Sequence, residues 1–408
     1  MWHATRIIDA SGHVVTPGFV DAHVHLAALL GAPRPYVPAT GPGLFSGASR
    51  IVEIGAVMAQ LMALPIPPDL AASVVRPAFG AMLLSGITSV VDAGSSGHDG
   101  LVTAALDTGI RAAIGPALFD VALGEHAEIH RTADHVALLD GARSFVERHS
   151  GLSAVRPIVA VADTISFRRA HRRDRRAHRR TRPRHARTQP HQPRVASRSR
   201  GGDGRTETQR LATAGLLGKR CTAMHVGDIN DADVAALHDT STTVNHNPLG
   251  NAMLGFGTAS QGAVQRLLTA GVPLVLGSDY TPSMVATPFD MIRAALMMAR
   301  EVTAADDALR LEEALAMATN PGVSVGQPGH LGRIAAGQLA DLVIIDTPGP
   351  HHLGSRHPVP ALALRARPGD VRTVVVNGHI VVDNGQLTNV DERAVIGEAE
   401  AAFSQLVR

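Results

Sequence analysis

Thr16-Pro17-Gly18-Phe19-Val20-Asp21-Ala22-His23-Val24-His25-Leu26 is the stretch on which the fold turns. Pro17-Gly18 is turn punctuation. The run from Phe19 to Leu26 then reads as a short strand buried on both faces, ending in an alternating histidine pair. Residues i and i+2 of a strand face the same side, so His23 and His25 aim two imidazoles at one point. That spacing suits Zn2+ or Fe2+. Most H-x-H pairs are incidental, and it is the position at the end of a buried strand that gives this one weight.

Moving outward, the same kind of apolar strand recurs at residues 86–92, 109–115, 156–161, 221–226, 242–246 and 272–279. Helical patterns lie between them, at 69–86, 231–238 and 261–270. Alternating short strands and helices predict a parallel α/β architecture. Polar residues gather at the C-terminal ends of these strands, where a (β/α)8 barrel carries its chemistry. From residue 332 the pattern changes. Residues 341–346 and 371–382 read as strands, the second a hairpin turning at Asn377-Gly378, and a closing helix follows near 391–407. The expected fold is a TIM-like (β/α)8 barrel at 17–331. The residues after 332 read as a small β unit. One or two strands, starting from Ile7, can precede Pro17, so one edge of the satellite sheet is expected to be unpaired.

Composition narrows the function classes. Hydrophobic residues make up 45% of 408 and aromatics only 3%, so the core must be aliphatic. The single cysteine, Cys221, excludes a disulfide framework within the chain and a multi-cysteine zinc site. The start of the chain carries no signal-peptide pattern and no apolar run is long enough to span a membrane. A cytoplasmic protein is the expectation.

Charge is concentrated in one block. Residues 168–200 hold 14 arginines and one aspartate, a net of +13 within a chain total of +2, which leaves −11 for the rest. The block has no hydrophobic period and cannot bury a core. It breaks into a regular strand–helix series that resumes near residue 203. It reads as frame-disturbed or disordered sequence, with a natural insertion or a basic nucleic-acid-binding arm as alternatives. No aromatic residue is interleaved for base stacking, so a nucleic-acid partner is not expected.

The opening stretch, together with Met224-His225-Val226, residues 245–255 around Asn245-His246-Asn247-Pro248, residues 270–279 ending in Gly277-Ser278-Asp279, and residues 332–342, closely resembles the amidohydrolase superfamily. The resemblance is to the branch of cytosine, guanine and adenosyl-nucleoside deaminases and triazine chlorohydrolases, and it covers most of the chain outside 168–200. It implies a metal-dependent hydrolase of non-peptide carbon–nitrogen bonds, most simply a hydrolytic deaminase of a small nitrogenous ring compound, with a homo-oligomer left open. It also implies a small, partial β-sandwich from both termini, residues 1–16 and 332–408.

In that reading His23, His25 and Asp279 bind one divalent ion, Zn2+ or alternatively Fe2+, and Asp279 is also general base toward the attacking water. His225 polarises the substrate or orients the water, and His246 and Asn247 brace the site. Glu53, Asp92, His98 and His126 are expected on surface or loops, with a place for some of them in the pocket lining as the alternative. The family's fifth-strand histidine falls within 168–200, where His185 and His191 are candidates by position alone. Its loss leaves a catalytically impaired or dead remnant as the alternative. Lys219, the lone lysine, lies outside the fourth-strand candidate, which favours a mononuclear site over one bridged by a carboxylated lysine. Residues 27–63 are expected to carry specificity.

Overall fold

The computed structural model describes residues 6–26, 66–92, 94–118, 121–123, 129–131, 134–161, 205–227, 229–253, 257–279, 286–320, 325, 329–355 and 357–406. The Arg-rich block, His185, His191, Glu53, His126 and the expected specificity loop at 27–63 lie outside the described residues.

Strand β1 (Val14–Pro17) leads through Gly18 into β2 (Phe19–Val24). Strands β3 (Ile87–Asp92), β4 (Arg111–Ile114) and β5 (Val155–Pro157) follow it in space as in sequence. They make a four-stranded parallel sheet in the order β2-β3-β4-β5. A second parallel sheet holds β6 (Thr222–Met224), β7 (Thr243–His246) and β8 (Leu274–Leu276). Seven strands of the expected eight are therefore described; the place of the fifth falls in residues 162–204.

The barrel closes between its first and last strands. The Asp279 amide donates to the His23 carbonyl (2.9 Å), and the Ser278 amide donates to the buried Asp21 carboxylate (2.8 Å). Asp21 therefore sits in an apolar strand because it carries a seam. Burial pushes its carboxyl up to about 6, against the opposing pull of the Ser278 hydrogen bonds.

Helices cover the sheets. Helix α1 (Pro68–Leu84) starts at a proline in its first turn, where no amide donor is needed. It buries Ala71, Val74, Val75, Phe79 and Leu83 along one face. Helix α2 (His98–Thr108) packs beside it. In the second half, α3 (Asp231–Asp239) is opened by an Asn230/Asp233 capping box. Helix α4 (Pro248–Met253) follows β7 directly. Helix α5 (Pro288–Thr303) is opened by a Thr287/Asp290 capping box. One large apolar cluster joins strands to helices. A smaller one, including Val20, Ala22, Val91, Ala113 and Val275, contains no helix residue and fills the space the strands enclose. The barrel is a packed core rather than a pore.

The termini build a separate antiparallel sheet. Strand β1 pairs with β9 (Leu342–Ile345), which pairs with β10 (Val371–Val376), then β11 (His379–Asp383) and β12 (Gln386–Leu387). Asn377 and Gly378 both take positive φ (51° and 80°), the hairpin turn expected from that dipeptide. The closing helix α6 (Glu392–Leu406) packs on α1.

Two expectations need correction. The N-terminal strand begins only at Val14, after the turn at Ser11-Gly12; Ile7 is 86% exposed, and among the described residues 6–10 form no strand, although Arg6 reaches Asp383 at 2.8 Å. Strand β1 does lie at one end of the sheet order, the expected edge. Asp92 is not a surface residue. It is fully buried at the end of β3 and accepts from the amides of Leu26, Gly94 and Ser95 and from the Ser95 hydroxyl. It thereby fixes the chain just past His25. His98 is partly buried, its ring edge-on to Phe145 at 4.7 Å.

Sheet and barrel are pinned together by one buried pair. Arg111, on β4, makes a two-pronged contact with Asp341 at 2.8 and 2.9 Å; Asp341 also accepts the Asn377 amide. Side chains of both partners are 3% exposed or less.

Candidate metal centre

His23 is the fifth residue of β2 and His25 follows the strand's end, so period-two geometry turns both rings the same way, with centroids 4.7 Å apart. Asp279 follows β8 by three residues. Its Oδ1 lies 3.2 Å from His23 Nε2 and 3.3 Å from His25 Nε2. His225, just past β6, brings its ring to 5.0 Å from that of His23. His23, His225 and Asp279 each offer a ligand atom within 4.8 Å of the others.

Two of these residues sit on strained backbone. His225 (φ 65°) and Asp279 (φ 56°) are both left-handed, as is Val226 (φ 24°). Each such non-glycine residue costs on the order of 1–3 kcal/mol, a feature that clusters at functional sites. The turn it makes ends the strand and swings the side chain over the barrel mouth.

The donor set fits a divalent metal. His23 is buried, and neither of its ring nitrogens has a hydrogen-bond partner; His25 Nδ1 is in the same state. The His23–Asp279 separation is that of an ion pair, but its direction is not that of a hydrogen bond. An imidazole left so in the interior is costly unless something takes its lone pair. Ligands about 2.0–2.1 Å from a tetrahedral Zn2+ stand about 3.3 Å from one another, the spacing seen between Asp279 Oδ1 and the two imidazoles.

Electrostatics agree. Burial alone would raise the Asp279 carboxyl, but the short side-chain contacts with His23 and His25 outweigh it and hold the group well below the usual carboxylate range. Burial lowers His23 to about 4 and His246 to about 4, so both rings stay neutral and keep lone pairs at neutral pH.

Asn251, on α4, was not legible as a site residue. Its Nδ2 donates to Thr258 Oγ1 (3.0 Å), which turns Oδ1 toward His225 Nδ1 (2.7 Å). An amide oxygen can only accept, so this shorter contact favours the ring proton on Nδ1 and the lone pair on Nε2. Asn247 Nδ2, 3.2 Å from the same Nδ1, is then a close neighbour and not a hydrogen-bond donor to it. The i,i+4 spacing of Asn247 and Asn251 at the start of a helix was the available signal, since it places both amides on one face. Gly250 lies between them because an added Cβ would come within 2.5 Å of the Asp279 Cβ.

The four predicted residues His23, His25, His225 and Asp279 are thus brought together, and Asn247 touches His225. His246 ends β7 fully buried. Lys219 precedes β6 and lies far along the chain from β5, the fourth barrel strand.

Residues 14–381 match the sequence pattern of the group described as the Amidohydrolase family. A 5-methylthioadenosine/S-adenosylhomocysteine deaminase of Syntrophobacter fumaroxidans is 27% identical over 96% of this chain and 86% of its own. A 5'-deoxyadenosine deaminase of Methanosarcina acetivorans is 32% identical over 50% of this chain and 46% of its own. Among solved structures, a zinc-bound adenosine deaminase of Xanthomonas campestris superposes with a TM-score of 0.78 at 20% identity, over 97% of this chain and 86% of that one. The zinc complex of atrazine chlorohydrolase from Arthrobacter aurescens gives 0.74 at 19% identity, over 96% and 88%.

Proposed function

The chain belongs to the amidohydrolase family, and on that premise we propose that it is a Zn2+-dependent deaminase of aminopurine nucleosides. It is a metal-dependent hydrolase of carbon–nitrogen bonds other than peptide bonds, acting on a small molecule. The finer reading rests on the relatives named as adenosine-type deaminases, one of them matched over nearly the whole chain. The observation that carries the site is the convergence of His23 Nε2 and His25 Nε2 on Asp279 Oδ1, at 3.2 and 3.3 Å.

In this reading His23, His25 and Asp279 hold one metal ion, which supplies Lewis acidity and brings the pKa of a water toward 7. Asp279 is ionised at neutral pH and takes the proton of the attacking water, then hands it to the departing amine. The balance is an amine and water giving a carbonyl and ammonia. His225, proton on Nδ1 by way of Asn251, presents Nε2 to the reacting centre and orients what binds there. Asp92 and Asp21 fix the turns that carry His25 and Asp279. Lys219, the lone lysine, lies off the fourth barrel strand, which supports a mononuclear site.

No helix among the described residues is long and apolar enough to cross a membrane. The test is ammonia release by the Zn2+-loaded chain from 5'-methylthioadenosine, S-adenosylhomocysteine and 5'-deoxyadenosine, with atrazine as the contrasting substrate. Turnover of a nucleoside supports the proposal. Chloride release from atrazine without nucleoside turnover refutes the substrate class, and inactivity of the fully loaded protein on all four refutes the proposal.

A further inference from the structure

Between the adjacent strands β9 and β10 the chain makes a long excursion, and its two ends meet through histidine and aspartate. At one end a short turn, Pro350–His352, carries His351 and His352. At the other, the turn Pro368–Asp370 delivers Asp370 immediately before β10. His351 Nε2 lies 2.8 Å and His352 Nε2 3.2 Å from the same oxygen, Asp370 Oδ2. The Arg367 amide donates to that oxygen as well, at 2.9 Å. The rings lie with centroids 4.3 Å apart. A ligand atom from each of the three residues falls within 4.8 Å of the others.

We propose that His351, His352 and Asp370 form a second metal site, structural in role, for a divalent transition-metal ion such as Zn2+. Three nitrogens crowd one carboxylate oxygen that has two lone pairs. As hydrogen bonding alone, this arrangement is over-supplied at Oδ2. Among the described residues the His352 side chain, 1% exposed, has no other hydrogen-bond partner, its Nδ1 being buried without one. An ion between the three side chains takes one lone pair from each imidazole and one from the carboxylate. The Arg367 amide then remains as the hydrogen bond that orients a ligating carboxylate. Two imidazoles and one carboxylate suit Zn2+ and its first-row neighbours rather than Ca2+ or Mg2+.

The surroundings fit a site that is held, not one that turns over. Arg365 donates to the carbonyls of His351 and Leu353 and so locks the turn that carries the ligands. The Asp346 amide donates to the Asp370 carbonyl (2.8 Å), which already draws the two ends together. An ion here clips residues 351 and 352 to 370, and because it binds only the folded arrangement its binding free energy adds to the stability of the fold. His351 is a quarter exposed on its side chain, which leaves an edge for water as a fourth ligand.

The test is metal content. The full chain is stripped with a chelator, reloaded with Zn2+ alone, desalted and assayed by elemental analysis, beside folded His351→Ala, Asp370→Asn and Asp279→Asn. The expected result is one equivalent fewer in His351→Ala and in Asp370→Asn than in the wild type. Asp279→Asn keeps the equivalent that those two lose. Equal Zn2+ content in the wild type, His351→Ala and Asp370→Asn overturns the proposal. Co2+ loading of Asp279→Asn, compared with the double variant Asp279→Asn/Asp370→Asn, gives a spectroscopic check. Visible d–d absorption of a low-coordinate ion that is lost in the double variant supports the site, and equal absorption in the two sinks it.

Discussion

The barrel mouth and the C-terminal excursion carry the same donors in the same local arrangement: two imidazole Nε2 atoms drawn to one carboxylate oxygen. They differ in how the chain delivers them. His23, His25, His225 and Asp279 come from the first, sixth and eighth barrel strands, and two of the four stand on left-handed backbone. His351, His352 and Asp370 come from two short turns of one excursion, and none of them has positive φ. Strain held in place by a closed barrel marks a site built to present reactive groups at an open face. Unstrained ligands on neighbouring turns mark a staple. Donor chemistry alone does not separate the two roles; backbone cost and the origin of the ligands do.

The sharpest break between the two regions is catalytic. Asp279→Asn keeps the shape of the side chain and removes the charge and the base, and kcat/KM for the nucleoside substrate should fall on the order of 10^3-fold or more. Steady-state ammonia release measures it, and a loss of less than tenfold would remove Asp279 from the chemistry.

Barrel and satellite sheet, which carry the two clusters, share the buried Arg111–Asp341 pair among their contacts. Asp341→Ala strands a buried guanidinium and should destabilise the fold by about 3–5 kcal/mol. A denaturant titration that shifts by under 1 kcal/mol would mean barrel and sheet are held by other contacts.

Within the barrel cluster, Asn251→Ala should lower kcat about 10–100-fold by releasing the His225 ring, while Zn2+ content stays at the wild-type level. A combined loss of metal and activity would recast Asn251 as a support of the ligands instead. The smallest effect is expected at the other cluster: His351→Ala should leave kcat/KM within about twofold of wild type and lower Tm by a few degrees, about 1 kcal/mol. A large drop in turnover would erase the distinction between an active site and a staple.

Much of the barrel was legible because its signals are local. Short apolar strands, the helices between them and the Asn377-Gly378 hairpin follow from periodicity and turn chemistry. The H-x-H pair declares a shared face by spacing alone. Asp21 and Asp92 offered a signal of another kind, a carboxylate inside an apolar strand, which must have donors waiting for it. The sequence alone does not separate a surface or loop place for Asp92 from a buried one, since its donors, Leu26 and Ser95 among them, lie across a strand boundary or in the turn that follows.

By itself the sequence determined the parallel α/β architecture and the paired histidines on the first strand, because both are written in residue type and short-range period; the reaction class followed from the resemblance to the amidohydrolases. Only the tertiary structure decided which nitrogens and oxygens meet. His225 gains Asn251, Arg111 gains Asp341, and His351 and His352 gain Asp370 through strand register, turn angle and barrel closure. Those are properties of contacts between distant segments, and no pattern within a single segment encodes them.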